Sequence, residues 1–202
     1  CHRNRRANQR AGETVMNKCD ISLYAILDPA RSKGRSIAEL ACDAAAGGAT
    51  ILQYRDKDTD TRSMIANAIL IKKALQSHNV PLLINDRVDV ALASGADGVH
   101  VGQSDMEPHA VRRLMGAEAL VGFTVKTRDH AEMAPVDLID YACIGGVYET
   151  DSKDNPVSIG LEGWHDVAAI LRERNSTLPV GAIAGIDHSN VADVMDNGAD
   201  GV

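Results

Sequence analysis

Aromatic residues are scarce in this 202-residue chain, at 3% with a single Trp and a single Phe, although apolar residues make up 45% of it. The core must therefore be built from Ala, Val, Ile and Leu, as in strands buried on both faces beneath helices. No apolar run approaches the roughly 18 residues of a membrane span. The four cysteines, Cys1, Cys19, Cys42 and Cys143, show no CxxC spacing. That argues against a zinc site or a disulfide framework and implies a reducing cytoplasm. Positive charge is in deficit as well. Residues 1–15 carry Arg3, Arg5, Arg6 and Arg10 against Glu13, a balance of +3, which leaves −10 for the rest of a chain whose total is −7. An acidic body argues against a nucleic-acid surface. The basic arm lacks the apolar core of a signal peptide. The chain does not begin with Met, and Met16 sits just ahead of the first apolar run. Residues 1–18 are thus expected to be a flexible leader, and 19–202 a single domain with a substantial core.

What is present is a recurrence. Apolar, β-branched runs at 23–27, 50–54, 82–84, 98–101, 121–125, 141–147 and 180–183 are each followed by an amphipathic segment. Those segments predict helices near 36–46, 61–77, 87–94, 108–115, 128–134, 163–173 and 189–197. Ser36 and Thr61 are the expected N-caps of the first two, and Pro81 and Pro179 stop the chain just before a strand. Gly-Ala-Thr at 48–50 and Gly-Ala-Asp-Gly at 95–98 and 198–201 repeat ahead of strands, as suits equivalent units around a ring. The expectation is an α/β fold, a (β/α)8 TIM barrel, with seven complete units and a chain ending within strand eight at Gly201-Val202. Strand eight and its helix would need roughly 20 more residues. An open doubly wound sheet is the alternative, but no GxGxxG turn follows the first strand.

In such a barrel the chemistry gathers where the strands end. Strand two ends in Gln53-Tyr54-Arg55-Asp56-Lys57, and alternation puts Gln53, Arg55 and Lys57 on one side. Strand three ends in Asn85-Asp86, and Asp105 lies just past strand four. Either aspartate alone reads as a helix cap. Together on adjacent tips, with no Cys or His pair beside them, they suit a hard cation such as Mg2+. Cations opposite an acidic metal site suit a diphosphate. Thr124 on strand five offers a neutral hydroxyl fit for the edge of a heterocycle, and equally reads as an ordinary β-branched strand residue. The loop after strand six, with Gly145, Gly146, Thr150, Ser152 and Lys153, could cradle a phosphate or be a surface loop. Ala184 and Gly185 after strand seven leave room for an anion at backbone amides. His100 reads as a core residue or a support for the site, and Trp164 as packing between helix and barrel.

Taken in order, QYRDK, IND, GVHVGQSD, GFTVKT, GGVYETDSK and AIAGI resemble the thiamine-phosphate synthase family, from about Leu23 to Val202. The resemblance implies a (β/α)8 transferase of thiamine biosynthesis. It would join hydroxymethylpyrimidine diphosphate to a thiazole phosphate and release pyrophosphate, with Mg2+ as cofactor. Carried over by position, Gln53, Arg55 and Lys57 would hold the diphosphate. Asn85 would touch the pyrimidine, and Asp86 and Asp105 would bind the metal. Thr124 stands where the family usually has Ser. Thr150 and Ser152 match its thiazole-phosphate loop, Lys153 its diphosphate lysine, and Gly185 a glycine near the thiazole phosphate. Arg55, Lys57 and Lys153 would be the groups that stabilise the leaving diphosphate. Ala184 replaces a common Gly, which is expected to restrict the strand-seven turn.

Two other readings compete. The related thiazole tautomerase typically carries a His two residues after the strand-five hydroxyl, where this chain has Lys126. A non-catalytic barrel that senses thiamine-related phosphates is the second, against which the full set of charged tips argues. The partners expected are small-molecule substrates, with no nucleic acid and no membrane. Oligomeric state is left open, a homo-oligomer included.

Overall fold

The structure, a computed structural model, describes residues 19–149 and 158–202. The expected leader, residues 1–18, lies outside them. Strand and helix alternate throughout: β1 (Tyr24–Leu27), α1 (Ile37–Ala46), β2 (Ile51–Tyr54), α2 (Thr61–Leu75), β3 (Leu82–Asn85), α3 (Val88–Ser94), β4 (Gly98–Val101) and α4 (Pro108–Met115). They continue with β5 (Leu120–Val125), α5 (Arg128–Met133), β6 (Tyr141–Gly145), α6 (Gly160–Arg174), β7 (Val180–Ile183) and α7 (Val191–Asp196). All strand pairs are parallel, and spatial order follows chain order from β1 to β7.

The sheet curls until its two edges meet the same two residues. Ala182 of β7 donates its N–H to Gly201 O at 2.9 Å, and Tyr24 of β1 donates to Val202 O at 2.9 Å. Among the described residues the expected eighth strand amounts to this one bridge, Gly181 to Gly201.

The reason for local structure is visible in α2. Met64, Ala68, Ile71 and Leu75 recur at helical spacing and are buried, so one stripe faces the sheet. Its N-cap is Asp60, whose carboxylate accepts from Ser63 N at 3.1 Å, and not the expected Thr61, which is the first helical residue. A carboxylate matches the positive end of the helix as well as its free N–H groups. Ser36 does occupy the N-cap of α1, without a side-chain hydrogen bond.

Alternation along the strands divides the core in two. Leu52, Tyr54, Leu82, Ile84, Val99, Val101, Phe123, Val125, Ile144 and Val180 point outward and pack under the helices. Trp164 of α6 is fully buried there, its indole N–H 3.4 Å from Gly181 O. The inward cluster is smaller: Cys19, Ile21, Ile51, Leu83, Tyr141 and Cys143, with Tyr24 and Leu120 packed against it. Removing a side chain of Leu or Ile size from water contributes about 1.5–3 kcal/mol, so the outer layer carries most of the stability.

At the amino-terminal rim one arrangement repeats. The residue before each even-numbered strand position accepts a hydrogen bond from a backbone N–H at the start of the strand preceding it. Thr50 Oγ1 accepts from Leu23 N (3.1 Å), Asp97 from Leu82 N (2.7 Å), Asp140 from Val121 N (2.7 Å) and Asp200 from Val180 N (2.8 Å). The same four residues donate their own N–H back to Leu23, Leu82, Val121 and Val180. Each aspartate also pairs with a base on a helix: Lys72 with Asp97, Arg112 with Asp140 at 2.7 Å, and Arg172 with Asp200 at 2.9 Å.

Candidate active site at the carboxyl-terminal rim

The tip of β2 sends its side chains three ways. Gln53 does not face the rim beside Arg55 and Lys57. It is 4% exposed, turned into the sheet interior, and its Nε2 donates to the Tyr24 hydroxyl at 2.7 Å. Arg55 leans toward β1, where its Nη1 meets Asp28 Oδ2 at 3.0 Å. Lys57 leans the other way and pairs with Asp86 at the end of β3. Asp56, between them, is buried. It accepts from the Tyr54 hydroxyl (2.7 Å) and from the N–H groups of Asp58 and Thr59 (3.1 and 3.0 Å), which shapes the 55–60 loop.

Asp86 and Asp105 do come together, and neither caps a helix: the N-caps of α3 and α4 are Arg87 and Glu107. Asp86 has φ +60°, a left-handed conformation that Asp tolerates better than most residues but at a cost in strain. Its N–H donates to His100 O at 2.9 Å, while Asn85 lies opposite His100 in the β3–β4 register. Asp105 accepts from Gly102 N at 2.8 Å; a Cβ on Gly102 would stand 3.2 Å from that carboxylate, so glycine lets it approach. Burial first, and then the neighbouring Asp86 carboxylate, hold the Asp105 carboxyl above its ordinary range, against the lowering effect of the Gly102 N–H. Two carboxylates at such close quarters are a donor set fit for a hard divalent cation, with the remaining positions left to water and phosphate oxygens.

Thr124, near the end of β5, is part-buried beside Gly102 and bonded to His100 Nε2 at 2.8 Å. Lys126, two residues on, is exposed. Gln103 Nε2 donates to Thr124 O at 2.8 Å and ties the β4 loop to β5. Beyond β6 the chain runs against the end of β7: Gly146 N donates to Ile183 O (3.1 Å) and Tyr148 N to Ala184 O (3.1 Å). Ala184 has φ +94° and Gly185 φ +66°. A Cβ on Gly185 would stand 2.3 Å from Glu149 O, so only glycine fits this seam. The expected restriction at Ala184 thus takes the form of a non-glycine residue in glycine's conformation. Thr150, Ser152 and Lys153 lie outside the described residues.

Asp28, Tyr24, Tyr141 and Gly102 belong to this site and were not singled out by the sequence reading. Asp28, directly after β1, carried a signal, because it is the same strand-end position that drew attention to Asp86. Two concave spaces, of about 350 and 300 Å³, lie on the opposite rim. They are lined by Cys19, Asp20 and Asp200, and by Lys72, Pro81 and Asp97. Neither gathers cations beside paired carboxylates, so the open carboxyl-terminal rim is the better candidate.

Known proteins resemble this chain over most of its length. The family model described as thiamine monophosphate synthase matches residues 23–202. Thiamine-phosphate synthase of Agrobacterium fabrum is 54% identical over 188 residues, which cover 93% of this chain and 86% of that protein. Thiamine-phosphate synthase of Persephonella marina is 37% identical over 183 residues, 91% of this chain and 85% of the other. A solved structure, thiamine phosphate pyrophosphorylase from Pyrococcus furiosus, superposes with a TM-score of 0.77 at 32% identity, covering 91% of this chain and 85% of that one.

Proposed function

Because this chain belongs to the thiamine monophosphate synthase family, and is thereby an enzyme of the transferase class, we propose that it joins hydroxymethylpyrimidine diphosphate to a thiazole phosphate. The products are thiamine phosphate and pyrophosphate. The observation that carries this reading is the meeting of Asp86 and Asp105 beside Lys57, one strand away from Arg55. A diphosphate leaving group needs cations at its oxygens, and a metal holding it needs hard oxygen ligands.

Departure of diphosphate places negative charge on the leaving oxygens. Arg55 and Lys57 stabilise that charge, Arg55 through a guanidinium held in orientation by Asp28. Lys153 joins them by family resemblance, and Thr150, Ser152 and Gly185 hold the thiazole phosphate. Asp86 and Asp105 would hold Mg2+, which when bound supplies further positive charge to the diphosphate. Asn85 and Thr124 meet the pyrimidine. Gln53, turned inward, supports the site from beneath. No side chain need act as nucleophile, because the electron-rich aminopyrimidine carries the methylene cation left by diphosphate and the thiazole nitrogen then attacks it; the protein's part is positioning and charge. The same reading completes the curled sheet as an eight-stranded barrel. It places the enzyme in the cytoplasm, in keeping with free Cys19, Cys42 and Cys143. No described helix is long and apolar enough to cross a membrane.

Incubation with both substrates and Mg2+ should give thiamine phosphate and pyrophosphate in equal amounts. Lys126 stands where the tautomerase has a His, and an ordinary lysine is a poor base near neutral pH. Thiazole isomerisation in the absence of pyrimidine diphosphate, with no coupling when it is added, would replace the synthase reading with the tautomerase one.

A further inference from the structure

A chain of five side chains crosses the inside of the sheet and joins two residues of the site. Gln53 Nε2 lies 2.7 Å from the Tyr24 hydroxyl, which lies 2.7 Å from the Tyr141 hydroxyl. Tyr141 in turn lies 2.9 Å from His100 Nδ1, and His100 Nε2 lies 2.8 Å from Thr124 Oγ1. The members come from β2, β1, β6, β4 and β5. The rings hold one another in place, with centroids 5.7 Å apart for Tyr24 and Tyr141 and 5.6 Å for His100 and Tyr141. Gly122 makes the room: a Cβ there would stand 2.1 Å from the Tyr141 hydroxyl and 2.5 Å from His100 Nδ1.

The chemistry of each group gives the chain a direction. An amide nitrogen only donates, so Tyr24 accepts from Gln53. The arrangement that uses every buried O–H then directs the single phenolic proton of Tyr24 to Tyr141, and that of Tyr141 to His100 Nδ1. A neutral imidazole that accepts at Nδ1 carries its proton on Nε2, and that proton goes to Thr124 Oγ1. Thr124 accepts from within and keeps its own proton for the rim. Burial raises both phenols above their ordinary range, so they remain protonated.

We infer that His100 is a positioning residue, and that the chain from Gln53 to His100 presents the Thr124 hydroxyl to the substrate as a hydrogen-bond donor. The substrate atom at Thr124 is then an acceptor, such as an unprotonated ring nitrogen of an aminopyrimidine. That identification rests on the proposed function; the polarity of the chain does not.

Two measurements test it. Long-range 1H–15N spectra of the histidine rings read the tautomer with no substrate present. His100 should be the Nε2–H form. Gln53→Glu, whose carboxylate accepts from Tyr24, should reverse all four bonds and bring His100 to the Nδ1–H form. Should that variant fail to fold, Tyr141→Phe severs the chain at its middle and should leave His100 a mixture of tautomers. An Nδ1–H ring in the unaltered protein, or a tautomer indifferent to both substitutions, overturns the polarity. The second measurement is a double-mutant cycle on coupling activity. His100→Asn should lower kcat/KM roughly tenfold in the unaltered chain, the worth of one hydrogen bond, and less than about twofold in Thr124→Val. A merely structural histidine would cost the same in both backgrounds, and that result overturns the positioning role. If the synthase reading itself fails, no variant forms thiamine phosphate, while the tautomer spectra still decide the polarity.

Discussion

At the amino-terminal rim Asp97, Asp140 and Asp200 each meet one base and one backbone N–H, whereas at the carboxyl-terminal rim Asp86 and Asp105 meet each other and share one base, Lys57. The backbone shows the same contrast. Left-handed residues between a helix and the next strand are Gly48, Asn79, Gly95, Gly116 and Gly198, all types that adopt this conformation readily. Between a strand and the next helix the set includes Lys33, Asp86 and Ala184. One rim gives each carboxylate its own base and keeps its backbone in easy conformations; the other crowds two carboxylates around one lysine and holds Lys33, Asp86 and Ala184 at positive φ, under tension. A fold can carry such tension where a ligand will relieve it, and the opposite rim supplies the stability that permits it.

The sharpest way to break this contrast is to remove an aspartate from each rim. Asp86→Ala and Asp105→Ala should each lower turnover by at least on the order of 10³ in a protein that still folds, with Asp86→Ala somewhat less stable because Ala is strained at φ +60°. Near-full activity of Asp105→Ala at limiting Mg2+ would end the metal assignment. Asp140→Ala should do the reverse. It takes the carboxylate from Arg112, which keeps only backbone carbonyls, and leaves the Val121 N–H without its side-chain acceptor at a part-buried position; this costs about 2 kcal/mol of stability, while kcat of the folded fraction is unchanged. Chemical denaturation and steady-state rates, run side by side, separate the two outcomes.

A milder substitution sharpens the comparison. Asp105→Asn keeps an acceptor for Gly102 N but removes the charge that burial and Asp86 disfavour, so it should melt about 2 °C higher at neutral pH. The folded-state pKa of Asp105 is raised, so the penalty of its charge is full above that value and fades as pH falls through it toward 3.8. The advantage of the Asn variant should therefore shrink with acidification; an advantage that grew instead would reverse the assignment. The smallest effect is expected at Ala184→Gly, which should relieve the φ +94° conformation and, after the entropy cost of glycine, add about 0.4 kcal/mol to stability. A loss of stability there would mean that the turn is not strained.

Much of the fold was legible because burial on both faces of a parallel strand leaves an unbroken apolar run, and all seven runs became strands. The meeting of the two carboxylates was legible for a related reason: Asp86 and Asp105 follow adjacent runs, and parallel order puts adjacent tips side by side. What could not be read was direction within the rim. Alternation placed Gln53 with Arg55 and Lys57, yet the hydroxyl of Tyr24 draws Gln53 inward, and Asp28 and Asp86 draw the two cations apart. Tyr24 and Tyr141 read as apolar strand residues, since nothing local marks a phenol that bonds across the sheet to a residue 117 positions away. The repeated Gly-Ala-Asp was noticed for its glycines, while the aspartate carried the recurring contact.

That recurring contact also sets natural seams in the chain. Thr50, Asp97, Asp140 and Asp200 each lock an odd strand to the even position after it, so the molecule is a succession of two-strand modules. A break in the backbone at residues 76–81, between α2 and β3, would leave every lock inside one fragment. A break at residues 28–36 would part Leu23 from Thr50. Fragments cut at module boundaries should therefore reassemble more readily than fragments cut within them. The Lys72–Asp97, Arg112–Asp140 and Arg172–Asp200 pairs, which run from one module's helix to the next module's strand, would serve as the docking contacts between the pieces.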